Sequence, residues 1–329
     1  MEKLAGASYG DVPKWLKGPH SKCGRSGNRR EGSNPSISVE NRTRATETGF
    51  FRIMIKKQAG IFKEKRRRGM IKLVVSDIDG TLLPDGGHDM NPELYEVILK
   101  LRKAGMQFAA ASGRQWASIE QVFDPIKEKI FYLSDNGAYV GCCGRRLIVN
   151  PIDRHLVVDM IQDIRSAGLI AMYSGPDMVY LDDPDEDFYD WLVNGYKFRV
   201  QRVEDVLKVD DPCIKISAYK KFGIEPATTA IREKYNDKMK ITISGDMWMD
   251  CMKTGVNKGA AVKLLQDSLS IKPEETMTFG DQLNDIEMLK QAYYSFAVAN
   301  ARLEVKEAAR FETDSNVQDG VLKILKFLV

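Results

Sequence analysis

The chain has 329 residues, 43% of them hydrophobic, enough for two ordinary domains with a real core, and no stretch approaches the roughly 18–20 uninterrupted apolar residues of a membrane span. The net charge of +3 averages two unlike pieces: residues 1–69 hold 17 Lys and Arg against 6 Asp and Glu, a surplus of +11, whereas residues 70–329 carry −8. An acidic body argues against a nucleic-acid partner, and five cysteines without a CxxC spacing beside three histidines argue against a disulfide framework or a zinc site and for a reducing cytoplasm.

Residues 1–69 mix Gly, Ser, Asn, Pro and Arg without a helical or strand period, the composition of a disordered basic leader. Within it, "TGFFRIMIKKQAGIFKEKRRRG" reads as a solvated charge run in preference to a membrane or RNA contact. "KEKRRRG" stands directly before Met70. Lys, Glu, Arg and some Gly codons can be purine-only, as is a bacterial ribosome-binding site, so Met70 is the expected native start. A targeting extension is the alternative. A chain beginning at Met70 is expected to match the full chain in melting temperature and activity, which calorimetry, activity assays and N-terminal sequencing of the native protein check.

From Met70 the texture changes. "MIKLVVS" reads as a buried strand, "NPELYEVILKLRKAG" as a helix with Pro in its first turn and Gly at its end, and "MQFAAAS" as a second buried strand. "RQWASIEQVFDPI" and "KIFYLSDNGA" continue as helix and third strand. Apolar strands alternating with amphipathic helices predict an α/β fold whose parallel sheet is covered on both faces, with ligands at the C-terminal strand ends. Residues 153–248 differ: shorter, alternating strands such as "LIAMYS", "DMVYLDD", "PCIKISAYK" and "MKITISG" lie among helices, predicting an inserted α+β domain. The first texture then returns through "NKGAAVKLLQDSL", "TMTFGDQLNDIEMLKQA", "YSFAVAN" and "DGVLKILKFL". The expected organisation is a leader over 1–69, core over 70–152, insert over 153–248 and core again over 249–329.

The chemistry lies at the strand ends. In "VVSDIDGT", Asp77 and Asp79 are two apart, so an extended backbone points both carboxylates to one side, and Gly80 permits a sharp turn. "FGDQLND" places Asp281, Asn284 and Asp285 after another apolar strand. Four carboxylates on one rim cannot all stay ionised without a cation, and oxygen-only ligands suit Mg²⁺. In "AAASGR", Ser112 is able to hydrogen-bond a phosphate oxygen or simply to cap a helix, and Lys258 in "VNKGAAV" to neutralise a bound phosphate or remain solvated.

Taken in order, "DIDGT", "SGR", "NKG" and "GDQLND" resemble the four motifs of the haloacid dehalogenase superfamily of phosphohydrolases, over about residues 70–329. The large insert between the second and third motifs, with "DGTLL", "SDNGA" and "GDQLNDIEML", is similar to the Cof-type subfamily with its α/β cap, type IIB. The resemblance implies a Rossmann-like core with an inserted cap, and Asp77 as the nucleophile that forms an aspartyl phosphate. It also implies Asp79 as the acid and then the base, and Mg²⁺ held by Asp77, the Asp79 carbonyl, Asp281 and Asp285. Ser112 and Lys258 would bind the phosphoryl group, Thr81, Gly80 and Gly113 would shape the loops, and Asn284 would support the metal or Lys258. Arg114 and Asn136 are read equally as structural or ligand-binding, as are the cap positions Tyr173, Asp177, Tyr180 and Lys215. The function expected is hydrolysis of a small phosphate ester, a sugar phosphate, phosphorylated cofactor or nucleotide, with no membrane partner and no particular oligomeric state implied. A phosphomutase of the same fold and a catalytically silent binding module are the alternatives.

Overall fold

The computed structural model describes residues 70–329 other than 85, 86, 88, 183 and 245, and the expectations for residues 1–69 lie outside the described residues. Among the described residues, fourteen strands follow in chain order: β1 (Leu73–Ser76), β2 (Gln107–Ala111), β3 (Phe131–Ser134), β4 (Tyr139–Cys142), β5 (Arg145–Val149), β6 (Ile170–Ser174), β7 (Val179–Asp182), β8 (Val200–Val203), β9 (Lys215–Tyr219), β10 (Met239–Ser244), β11 (Trp248–Lys253), β12 (Thr276–Gly280), β13 (Tyr294–Val298) and β14 (Phe311–Thr313). They form an eight-stranded sheet in the order β14-β13-β12-β1-β2-β3-β4-β5 and a six-stranded sheet in the order β10-β11-β9-β6-β7-β8.

In the larger sheet the strands from β14 to β3 are parallel. Alternate residues of β1 feed opposite layers: Val74 packs with helix residues Leu94, Val97, Ile98 and Leu101, whereas Leu73 and Val75 pack with Val262 and Leu265. The helix Pro92–Lys103 forms where expected because Pro92 opens it, the Asn91 side chain accepts from the Glu93 N–H, and its apolar residues recur at one face. Two antiparallel strands, β4 and β5, extend the sheet beyond the parallel expectation. Their two-residue loop, Cys143–Gly144, has φ of 54° and 67°, the backbone of a tight hairpin turn that the text "GCCGRR" does not advertise.

The six-stranded sheet is antiparallel except where β7 pairs with β8. One face is apolar: Tyr173, Ile216, Ala218, Met249 and Cys251 pack on the helix Arg154–Ser166 through Val157, Met160, Ile161 and Ile164. The last strand of this sheet runs to Lys253, so the expected edge at residue 248 falls at the start of β11 rather than after the sheet. The other face of the sheet looks onto the core's strand ends.

Candidate active site

β1 lies between β12 and β2, the point at which the parallel sheet reverses its winding order and leaves a crevice beyond the strand ends. Three neighbouring strands deliver predicted residues there, β12 leading to Asp281, β1 to Asp77 and β2 to Ser112, and β3 adds Asp135, which was not predicted, followed by Asn136, which was. Asp77 is anchored through its N–H to the Phe279 carbonyl at 3.0 Å. Gly80 sits at φ 81°, and a Cβ there would strike the Asp281 carboxylate, so the turn needs glycine twice over. Thr81 Oγ1 donates to Asp281 Oδ1 at 2.7 Å, tying the first motif to the fourth.

Lys258 Nζ is buried and donates to Asp77 Oδ1 at 2.6 Å and Asp285 Oδ1 at 2.7 Å. The other oxygen of Asp285 accepts from the Asp281 and Gln282 N–H groups at 2.9 and 3.0 Å. Burial opposes the Lys258 charge, but Asp285 and Asp77 outweigh it and hold its pKa above the ordinary lysine value. Burial is likewise the largest influence on Asp77. It pushes the carboxyl well above the usual range, Lys258 pulls it down, and Asp285, Asp281 and Asp79 push it up again. One lysine does not neutralise this cluster. Carboxylate oxygens of Asp77, Asp281 and Asp285 lie within 4.8 Å of one another, an oxygen-only donor set of the kind a hard divalent cation takes.

Ser112 is held by its backbone on both sides, donating to the Leu133 carbonyl and accepting from Asn136 N–H, and its hydroxyl accepts from Arg114 N–H at 3.1 Å. Ser112 lines the cleft, and its hydroxyl keeps a proton to donate. Arg114, read from sequence with two meanings, grips Asp79 with a fork: Nε to Oδ2 at 2.8 Å and Nη2 to Oδ1 at 2.5 Å. Gly113 turns its carbonyl to Lys215 Nζ at 2.7 Å, and the same ammonium stands 2.8 Å from Asp135 Oδ1. Asn284 Nδ2 donates to Asn136 Oδ1 at 2.9 Å.

The cap face that meets these loops was only partly legible. A cavity of about 190 Å³ is lined by the core residues Asp77, Asp79, Ser112 and Lys258 and by Met172, Lys215, Ser217, Trp248 and Asp250 of the smaller sheet. Lys215 was anticipated. For Tyr173, Asp177 and Tyr180 the structural of the two open readings holds: both tyrosines belong to the apolar face, with their hydroxyls on Asp211, and Asp177 pairs with Arg146 outside the cleft. Ser217, Trp248 and Asp250 were missed. They share a face because β9 pairs with β11 in the register Asp250↔Ser217 and Trp248↔Tyr219, and the two-residue period of each strand was the available signal.

The sequence profile of the haloacid dehalogenase-like hydrolases matches residues 74–325. The chain belongs to this family. Among curated members it is 26% identical over 257 residues to a 5-amino-6-(5-phospho-D-ribitylamino)uracil phosphatase of Escherichia coli strain K12, which covers 78% of this chain and 95% of that protein. A phosphatase of the same name from Bacillus subtilis strain 168 is 27% identical over 265 residues, covering 79% and 96%. A solved structure from Eubacterium rectale shares 35% identity at a TM-score of 0.72, over 79% of this chain and all of that one. As a haloacid dehalogenase-like phosphatase, the chain carries the Rossmann-like core and the inserted α/β cap that its motifs implied, and among the described residues no helix is long and apolar enough to cross a membrane.

Proposed function

We propose that this phosphatase is a cytoplasmic enzyme that hydrolyses small phosphorylated metabolites through an aspartyl phosphate on Asp77, with Mg²⁺ held by Asp77, the Asp79 carbonyl, Asp281 and Asp285, and with its cap spanning 153–253. The observation that carries this reading is the buried set of Asp77, Lys258, Asp281 and Asp285, where carboxylates outnumber their single lysine. When bound, the ion supplies charge that lets one anion approach another.

The residues divide the remaining work. Asp77 attacks phosphorus, the P–O bond to the alcohol breaks, and the electron pair leaves with the alcohol oxygen. Lys258 keeps Asp77 aimed and receives charge from the phosphoryl oxygens, while Ser112 donates to one of them. Asp79 gives the leaving alcohol its proton, then takes one from the water that attacks the phosphoryl aspartate, returning Asp77 as a carboxylate and releasing phosphate. Arg114 holds both Asp79 oxygens with one N–H each, which fixes the carboxyl's orientation and leaves a second lone pair on each oxygen for the proton. The curated relatives' substrate, a ribityl phosphate on a uracil ring, and the Trp248, Tyr196 and Phe198 wall of the cleft support a polyol phosphate bearing a planar heterocycle as the first compound to try.

Phosphate release from a panel of phosphorylated metabolites, with Mg²⁺ and then with chelator, tests the reading; no release with Mg²⁺ would overturn it. Asp79→Asn is expected to retain metal binding and to lose about 10²–10⁴-fold in turnover of alkyl phosphates, whose alcohols need the proton, and distinctly less with aryl phosphates. Equal losses on both would remove Asp79 from the acid's role.

A further inference from the structure

The cap strand β11 lays Asp250 against the cleft opposite the phosphate loops, 5% exposed. Ser217 Oγ donates to its Oδ1 at 2.6 Å and Asn136 Nδ2 to its Oδ2 at 3.0 Å. Asn136 in turn accepts through Oδ1 from Asn284 Nδ2 at 2.9 Å. An ionised carboxylate only accepts, so Asp250 sets the direction of the whole chain: the Asn136 nitrogen faces it and the Asn136 oxygen faces Asn284. The carboxylate offers about four lone-pair sites and these partners use two, which leaves acceptor capacity turned to the cavity.

The cations around the same cavity are already engaged. Lys258 serves Asp77 and Asp285, Arg114 serves Asp79, and Lys215, buried at the start of cap strand β9, serves Asp135 and the Gly113 carbonyl. Among the described residues lining the cleft there is no further lysine or arginine. A leaving group lying between these loops and the cap therefore meets an acceptor anion, an aromatic and thioether wall of Trp248, Phe198 and Met172, and no lysine or arginine that lacks a carboxylate partner. A second anion on the substrate would be desolvated beside Asp250 without a partner.

We infer that Asp250 selects the leaving group, accepting hydrogen bonds from its hydroxyl or amino donors and rejecting phosphate esters that carry a carboxylate or a second phosphate. This rests on the phosphatase reading above and adds to it the chemical class of the organic half of the substrate. Asp250 acts on the leaving group and not on the phosphoryl transfer, so its signature is a ratio between substrates.

The experiment uses matched pairs that differ in one group: erythritol phosphate against phosphoerythronate, and glycerol phosphate against phosphoglycerate, with p-nitrophenyl phosphate reporting on the chemistry. The wild-type protein with Mg²⁺ is expected to favour the polyol of each pair by about tenfold or more in kcat/KM, because a site built around an acceptor discriminates through the donor it is offered. Asp250→Asn and Asp250→Ser are each expected to bring the two members of a pair to within about threefold, the polyol losing mainly in KM and the carboxylate ester gaining. Turnover of p-nitrophenyl phosphate by the wild type with equal rates within each pair overturns the inference and leaves the phosphatase reading standing. So does an unchanged ratio in both variants. Absence of turnover of every substrate by the wild type overturns both together.

Discussion

Asp77→Asn is expected to abolish phosphate release, with a fall of at least about 10⁴-fold, because one substitution removes both the attacking anion and a metal oxygen. The fold should survive it. Asp77 sits buried with three other carboxylates pressing on it, burial being the largest penalty on its charge and Lys258 the one attraction opposing it. An amide of the same shape removes that penalty, so the metal-free variant is expected to melt no lower than the metal-free wild type, whereas Mg²⁺ should raise the melting temperature of the wild type more than that of the variant. Phosphate release near the wild-type rate would refute the nucleophile assignment. A large drop in metal-free melting temperature would refute the account of the cluster's charge.

Lys258→Met is expected to do the reverse and damage stability as well as turnover. The ammonium is 1% exposed and bridges Asp77 and Asp285. Replacing it with an apolar chain leaves those two carboxylates, with Asp281 within 4.8 Å, buried without their lysine. Breaking a buried pair by deleting one partner costs about 3–5 kcal/mol. Denaturant unfolding in chelator should show a loss of that order, and millimolar Mg²⁺ should recover part of it by supplying positive charge to the same oxygens. Turnover should fall by about 10²–10³-fold even with Mg²⁺, since the phosphoryl oxygens lose a fixed donor. An unchanged unfolding midpoint in chelator would mean that the cluster is not charged as described.

The core's chemistry was legible because each motif follows an apolar strand whose direction in a parallel sheet is forced, so "VVSD", "AAAS" and "MTFGD" point their next residues to one rim without further information. Asp135 is the exception at that rim. It follows β3 in the same way, yet "KIFYLSDNGA" reads as strand to its end, and the turn there, with φ of 50° at Asp135, 55° at Asn136 and 92° at Gly137, is invisible until the backbone is built. The cap was harder for a different reason. In "MWMDCMK" the alternation is clear but its polarity is not: apolar Met249 and Cys251 face the helices, while Trp248 and Asp250 face the cleft, and aromatic and acidic residues together do not announce a shared side. Tyr173 and Tyr180 stayed open between two readings for the same reason, since a tyrosine ring suits a core as well as a binding wall when its hydroxyl finds a partner. Arg114 is an instance of a residue whose meaning lay in its partner: nothing in "SGRQW" places Asp79, 35 positions earlier, within reach of its fork.

The central pairing of β1 with β12 also bears on how the chain is made. Leu73 pairs with Thr276 and the carboxylates of Asp77 and Asp281 lie within 4.8 Å, so some two hundred residues, the entire cap among them, must leave the ribosome between the two halves of the site. At about 5–20 residues per second that is a wait of about 10–40 s. Throughout it, the apolar edge of β1 that β12 will cover stays open on the nascent chain, a ready template for pairing with another strand. The cap, contiguous between β5 and the helix at Lys258, is able to complete its own sheet in that interval, whereas the catalytic half cannot. The newborn protein therefore acquires its lid before its chemistry, and its demand for chaperone protection falls on the unfinished edge of β1.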